Sequence, residues 1–193
     1  MRASMAAACL AVLGLAGCGV PSSSEPRVIA SVPHDLLSPG TAAPTRPSAP
    51  AGAGPRAYLV VGDDRLTPVE ADPTGEDTAS AVRGVLARLG SGPTDTERTA
   101  GLSTALGPEV TLALAQVSGG RAEVDVGGAQ VASPERLPLA VGQVVLSVTS
   151  VPGVSSVVLR QDGEPIEAPL PGGARTALPL TAADYSGLVA RRG

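Results

Sequence analysis

Along the chain the spacing of apolar positions changes several times, and each change marks an element. Tyr58-Leu59-Val60-Val61 and Leu66-Thr67-Pro68-Val69 flank the turn-rich Gly62-Asp63-Asp64-Arg65. That pattern predicts a hairpin whose second strand lies at a sheet edge, because Pro68 cannot donate a ladder hydrogen bond. Val82, Val85, Leu86 and Leu89 then recur at helical spacing, with Gly90 placed as a C-cap and Pro93 beyond it. Val110 to Leu114 and Ala122 to Val126 sit either side of Ser118-Gly119-Gly120. The second of these runs alternates apolar and charged residues, as a strand with one buried and one wet face does.

Ser133-Pro134 reads as an N-cap and first-turn pair, followed by Leu137, Val141, Val144, Val145 and Val148 at helical spacing. A strand over Val144 to Val148 competes, since β-branched residues dominate there, and Pro138 can delay the helix start. Length and the cap favour the helix. Val154 to Arg160 and Pro165 to Leu170 enclose Gln161-Asp162-Gly163-Glu164, where Asp-Gly is a strong hairpin signal. The order β-β-α-β-β-α-β-β predicts an α/β (α+β) domain, a two-layer sandwich of a mixed or mainly antiparallel sheet with two helices on one face. The two β-β-α blocks hint at an internal repeat.

The start of the chain follows a different pattern. Arg2 precedes an apolar or small-residue run from Ala6 to Gly17, which ends in Leu15-Ala16-Gly17-Cys18. The run is shorter than the roughly 20 apolar residues a membrane span needs, and its small-residue ending is that of a cleavable signal. The Leu-Ala-Gly-Cys spacing is that of a lipoprotein lipobox, which makes Cys18 the expected lipidation site and the new N-terminus. Two or more acyl chains, at about 0.8 kcal/mol per buried methylene, hold where one is marginal. Cys9 would leave with the signal. An ordinary secretory signal with an incidental Cys18 thiol is the alternative.

Residues 18–56 are rich in Pro, Ala and Ser without apolar periodicity, and such a segment cannot bury enough surface to offset its ordering entropy. It reads as a tether that would span about 30 to 35 Å as a coil. Within it, Val32 to Leu37 is a short apolar island. The expected organisation is a signal peptide over residues 1–17, the tether over 18–56, a domain over 57–170 and a C-terminal extension over 171–193.

Composition narrows the chemistry. Fourteen basic and 18 acidic residues give a formal charge of −4, so no polybasic surface is expected for nucleic acid. The chain has no Trp and no Phe, and two Tyr, Tyr58 and Tyr185, which leaves few stacking platforms for bases or sugars. With Cys18 as the one thiol left after cleavage and His34 as the one His, neither a disulfide framework nor a zinc cluster can be assembled.

The remaining candidate groups have simpler readings. Asp63 and Asp64 suit a turn better than a calcium site, which wants six or more oxygens. Glu123 and Asp125 lie on one strand face beside Arg121, a solvated face rather than an acid/base pair. No Gly-x-Ser-x-Gly elbow is present, and His34 lies in the tether, away from any nucleophile. Ser118-Gly119-Gly120 reads as a hairpin turn before it reads as an anion nest. No catalytic residue, metal site or cofactor is expected.

Several segments together resemble a known family. They are Leu89-Gly90-Ser91-Gly92-Pro93-Thr94 with Glu97-Arg98 and Gly101-Leu102-Ser103-Thr104-Ala105-Leu106, the Val148-Thr149-Ser150-Val151-Pro152-Gly153-Val154 turn, and Asp162-Gly163-Glu164-Pro165. With the element order, they are similar to the GerMN domain of sporulation and spore germination, found also in actinobacterial lipoproteins. Leu180-Thr181-Ala182-Ala183-Asp184-Tyr185 resembles the ending that accompanies it there, and Cys18-Gly19-Val20-Pro21 resembles the start. The resemblance implies an envelope lipoprotein that works by protein association, since GerMN domains are similar to ring-building modules. It carries over no catalytic residues. One such domain stands here where the sporulation member has two, which weighs against ring assembly. The expected partners are therefore the membrane, through lipid on Cys18, and another envelope protein. A tethered module that binds cell-wall material or a small solute is the alternative. An enzyme would need a distant partner for an acid such as Asp63.

Overall fold

The turns set the strands. In the computed structural model, which describes residues 54–62, 64–72, 75–128 and 134–191, β4 (Thr111–Ser118) and β5 (Arg121–Gly127) pair antiparallel across Gly119-Gly120. Both glycines hold positive φ, 57° and 79°, the backbone that a two-residue hairpin loop requires and that residues with a Cβ resist. Asp162 and Gly163, at φ 52° and 83°, do the same after β6 (Ser156–Gln161). The first hairpin joins β1 (Arg56–Val61) to β2 (Arg65–Glu70), with Pro68 on the outer strand as expected.

Helix α1 (Thr78–Gly90) buries Val82, Val85, Leu86 and Leu89, the stripe read from the sequence. Its N-cap is Asp77, whose carboxylate accepts from the Ser80 N–H at 2.8 Å. Gly90 is the last helical residue and not the cap. Ser91 caps the helix in right-handed conformation, and the left-handed position falls to Gly92, at φ 67°. A short α2 (Asp95–Thr99) follows, started by a Thr94/Glu97 capping box, and then the two-residue β3 (Leu102–Ser103). The sequence reading contained neither element.

Helix α3 (Leu137–Thr149) forms in place of the competing strand, after a 3-10 turn over Pro134–Arg136. The expected N-cap, Ser133, lies outside the described residues. Nine positions from Leu139 to Val148 are buried, more than one helical face can supply. The reason is that strands pack on it from two sheets. The mixed sheet β4-β5-β6-β7, with β7 at Glu164–Pro165, has α1 against β4 and α3 against β6. This is the expected sandwich, with α3 as the crossover between the parallel strands β5 and β6. The other sheet, β2-β1-β3, packs on the same two helices, and this division of the strands was not visible in the pattern.

The last predicted strand is broken. β7 returns for two residues, and the chain then forms a separate hairpin, β8 (Ala168–Pro169) with β9 (Arg175–Thr176). Pro165 and Pro169 have no N–H to continue a ladder. Residues beyond 170 then return to the domain. Leu180 exchanges two 2.8 Å backbone hydrogen bonds with Val157. Helix α4 (Ala182–Tyr185) opens with a Thr181/Asp184 capping box and buries Tyr185 fully. The Tyr185 hydroxyl donates to the Pro169 carbonyl at 2.9 Å, and its ring lies where a Cβ on Gly142 would stand, 2.9 Å from Cδ1. A glycine on α3 is what admits the ring.

Candidate functional site

The two wholly buried polar side chains are committed to the fold, whereas Asp125 Oδ1 and Arg136 Nε are buried without a hydrogen-bond partner among the described residues. Gln143 and Ser147, both on α3, are wholly buried. Gln143 Oε1 accepts the Ala105 N–H at 3.0 Å and its amide donates to Thr104 Oγ1 at 3.1 Å. Ser147 Oγ donates to the Gln143 carbonyl and accepts the Tyr58 N–H at 2.8 Å. One turn on, Ser150 Oγ accepts the Arg56 N–H at 2.8 Å. β3 covers this side of β1 only at Val60 and Val61, so the two hydroxyls complete the edge that β3 leaves bare.

The acidic candidates are likewise occupied. Glu123 does not meet Asp125 as an acid/base pair, because the Arg160 guanidinium lies between them, 2.7 Å from Glu123 Oε2 and 3.8 Å from Asp125 Oδ1. A hydrogen bond from Gln116, then Arg160, holds the Glu123 carboxyl below its ordinary range, against the opposing effect of burial. Asp64 is exposed beside Arg65. Ser118 ends β4 at the two-glycine turn. Asp63, His34 and the whole segment with Leu15, Ala16, Gly17 and Cys18 lie outside the described residues. Among the described residues no three His, Cys, Asp or Glu side chains group as metal ligands.

Two of the concavities bear on function. A cleft of about 580 Å³ at the start of α1 is lined by Glu70, Asp72, Glu76 and Asp77 with Arg56. Its acids do not act as a set: both Asp77 oxygens are held by Ser80, and Glu70, 80% exposed, leans toward Arg56 at 3.5 Å. The Ser80 N–H, then its hydroxyl, lower the Asp77 pKa. A groove of about 510 Å³ is apolar, lined by Val110, Val126, Leu137, Val141, Leu159 and Ile166, with Glu167 and Arg175 among its polar residues. Each apolar lining residue reads in the sequence as an ordinary core position, so only the fold reveals the groove.

The sheet edges also differ. Outer strand β2 carries Pro68 and is bonded from outside by the Ala190 N–H to the Leu66 carbonyl at 2.8 Å. β7 is two residues long and contains Pro165. β4 is eight residues, Thr-Leu-Ala-Leu-Ala-Gln-Val-Ser, with neither charge nor proline. Among the described residues it pairs with β5 alone.

Comparison with known proteins gives the same fold. The chain is similar to the tandem GerMN domains of the sporulation protein GerM from Bacillus subtilis, at 19% identity and a TM-score of 0.50. That match covers 67% of this chain and 46% of the tandem protein, so the chain spans about half of that relative's length. The first GerMN domain of the same protein matches at 18% identity and a TM-score of 0.47, covering 67% of this chain and 98% of the domain. No curated protein sequence matches. The model of the Germane family, described as sporulation and spore germination, matches residues 54–167. With more than half of its length in that match, the chain belongs to the Germane family of GerMN-type domains.

Proposed function

We propose that this is a lipid-anchored protein of the outer face of the cell membrane, whose Germane domain binds another envelope protein and performs no catalysis. The anchor rests on Leu15-Ala16-Gly17-Cys18 at the end of an apolar leader. The association role is carried by one observation: the described surface offers an apolar groove and an unpaired strand edge. Among the described residues no helix is long and apolar enough to cross a membrane; attachment through lipid on Cys18 is the reading that the leader supports. The 18–56 segment would give the domain reach away from the bilayer.

The test is crosslinking and pull-down from native membranes with the intact chain, a Cys18→Ser variant and a variant lacking residues 57–170. The expected result is one envelope protein captured only when the domain is present, and loss of the Cys18→Ser chain from the detergent phase. Retention of the protein on isolated cell wall, with no protein captured, would replace this reading with wall binding.

A further inference from the structure

We propose that the free edge of β4 pairs antiparallel with β4 of a second copy of this chain. The inference rests on the reading of the domain as an association module and names a partner for it. Three observations carry it. First, β2 and β4 are the two sheet-edge strands longer than two residues among the described residues, and of these β4 is the one left open. β2 has its proline and its bond from Ala190, β6 is met by Leu180 and by β7, and β1 by the α3 hydroxyls. Along an antiparallel edge strand every second residue turns its N–H and C=O outward. No backbone or side-chain partner among the described residues reaches these groups on β4.

Second, the strand has the composition that permits pairing. Edges are ordinarily blunted with charge or proline, and residues 111–118 contain neither. Thr111, Ala113, Ala115, Gln116 and Ser118 are exposed but small or uncharged. The register shift between Leu114 and Gln116 leaves Thr111 to Leu114 as a regular pairing segment.

Third, the two ends of the strand carry opposite charge. Glu109 precedes it and Arg121 follows its turn, both are exposed, and neither makes an ion pair among the described residues. Arg121 does act at longer range on Glu123. A two-fold antiparallel pair runs the acidic end of each copy toward the basic end of the other, and such an interface is self-complementary by symmetry. Parallel self-pairing would instead bring like charges together.

The full chain in native membranes, carrying Ala113→Cys and treated with a short bismaleimide, tests this. A crosslinked species of twice the monomer mass is expected, absent from the wild type and from Leu178→Cys, an exposed site on another part of the domain. Adding Thr111→Lys and Gln116→Lys should abolish the crosslink with the far-ultraviolet circular dichroism unchanged. Arg121→Glu should reduce it several-fold, and Glu109→Arg with Arg121→Glu should restore it. Equal crosslinking at Ala113→Cys and Leu178→Cys, its persistence in the lysine variant, or a product containing a different polypeptide would overturn the proposal. Capture of an envelope protein by the lysine variant, with no self-crosslink in its parent, would refute self-pairing while leaving the association role standing.

Discussion

Along β1, where β3 reaches only Val60 and Val61, two hydroxyls of α3 take the place of a strand, whereas β4 carries eight residues whose outer side has no hydrogen-bonded strand among the described residues. The difference shows how a small domain closes a sheet without more strands. Ser147 and Ser150 stand one turn apart on α3, so both project toward β1, and each accepts one of the N–H groups that β3 leaves uncovered. Closing an edge this way places polar atoms in the core, which is tolerable because each is hydrogen-bonded. The outer edge of β4 has no backbone partner among the described residues and carries exposed side chains. One edge is therefore part of the core and the other is surface, and substitutions should separate them.

The largest effect is expected where the C-terminal segment locks against α3. Tyr185→Ala removes a fully buried ring that no neighbour can replace, at a cost of about 3–5 kcal/mol. Urea unfolding measures it. Tyr185→Phe keeps the ring but leaves the Pro169 carbonyl without its donor, for about 1 kcal/mol. If Tyr185→Ala unfolds at the wild-type midpoint, the segment after residue 170 is not a structural part of the domain.

Next is the network that feeds the sealed edge. Gln143→Ala strands the Ala105 N–H and opens a cavity, so about 2–4 kcal/mol is expected. Ser147→Ala strands the Tyr58 N–H in a buried site, for about 1–3 kcal/mol. Ser150→Ala, at a half-buried position where water can enter, should cost less. Hydrogen exchange sharpens the point: Ser147→Ala should speed exchange at Tyr58 more than at Val60, whose outer partner is β3. Equal acceleration at both would mean that the hydroxyl does not act as a local seal.

How much of this was legible follows from the range of each interaction. The hairpins could be read because Gly119-Gly120 and Asp162-Gly163 fix their turns locally, and α1 because its stripe is periodic. α3 could be read in spite of its valines, whose strand preference gave way to packing on both sides. The seal could not be read, since Ser147 and Ser150 are ordinary helix residues until β1, some 90 positions earlier, is brought against them. The same holds for Leu180 and Tyr185, which the family resemblance flagged without a physical reason. Gln143 was the one available hint, an amide inside the apolar run Leu139 to Val148. The α2 capping box was also in plain view as Thr94-x-x-Glu97. For the candidate site, the proposed lipobox rests on a local motif, whereas the groove draws its residues from separate elements.

A smaller effect comes from pH. The Ser80 bonds hold Asp77, and Gln116 with Arg160 hold Glu123, below their ordinary values of 3.8 and 4.5. Burial works against the same shift at Glu97, but the Thr94 N–H and Arg88 outweigh it. Carboxyls with depressed folded pKa values contribute stability that is present above the unfolded value and lost as pH falls through the folded one. Unfolding midpoints should therefore be flat near neutrality and fall below about pH 4.5. Glu123→Gln should flatten the part of that fall which belongs to the four-stranded sheet. Burial raises the Tyr185 pKa, so the opposite sign applies there. Its contribution is present below the unfolded value near 10 and lost as pH rises, a limb that Tyr185→Phe should abolish.

The smallest effect is expected at the open edge itself. Ala113→Lys adds a charge at an exposed position that faces Asp125 across the ladder, and exposed substitutions of this kind stay within about 0.5 kcal/mol of wild type. A lysine at Ser147 would instead have to carry its charge into a site with no exposure. That would cost several kcal/mol, or force the amine to neutralise. Measured side by side under conditions where the protein is monomeric, the two lysines should differ by more than any other pair of edge substitutions. A destabilisation at Ala113→Lys comparable to that at Ser147 would mean that β4 is held by something within its own monomer. Stability unchanged at Ala113 means that folding does not require the bare edge to be paired. Its freedom from charge and proline then needs a cause outside the monomer, which is what distinguishes a surface kept open for a partner from one merely left over by the fold.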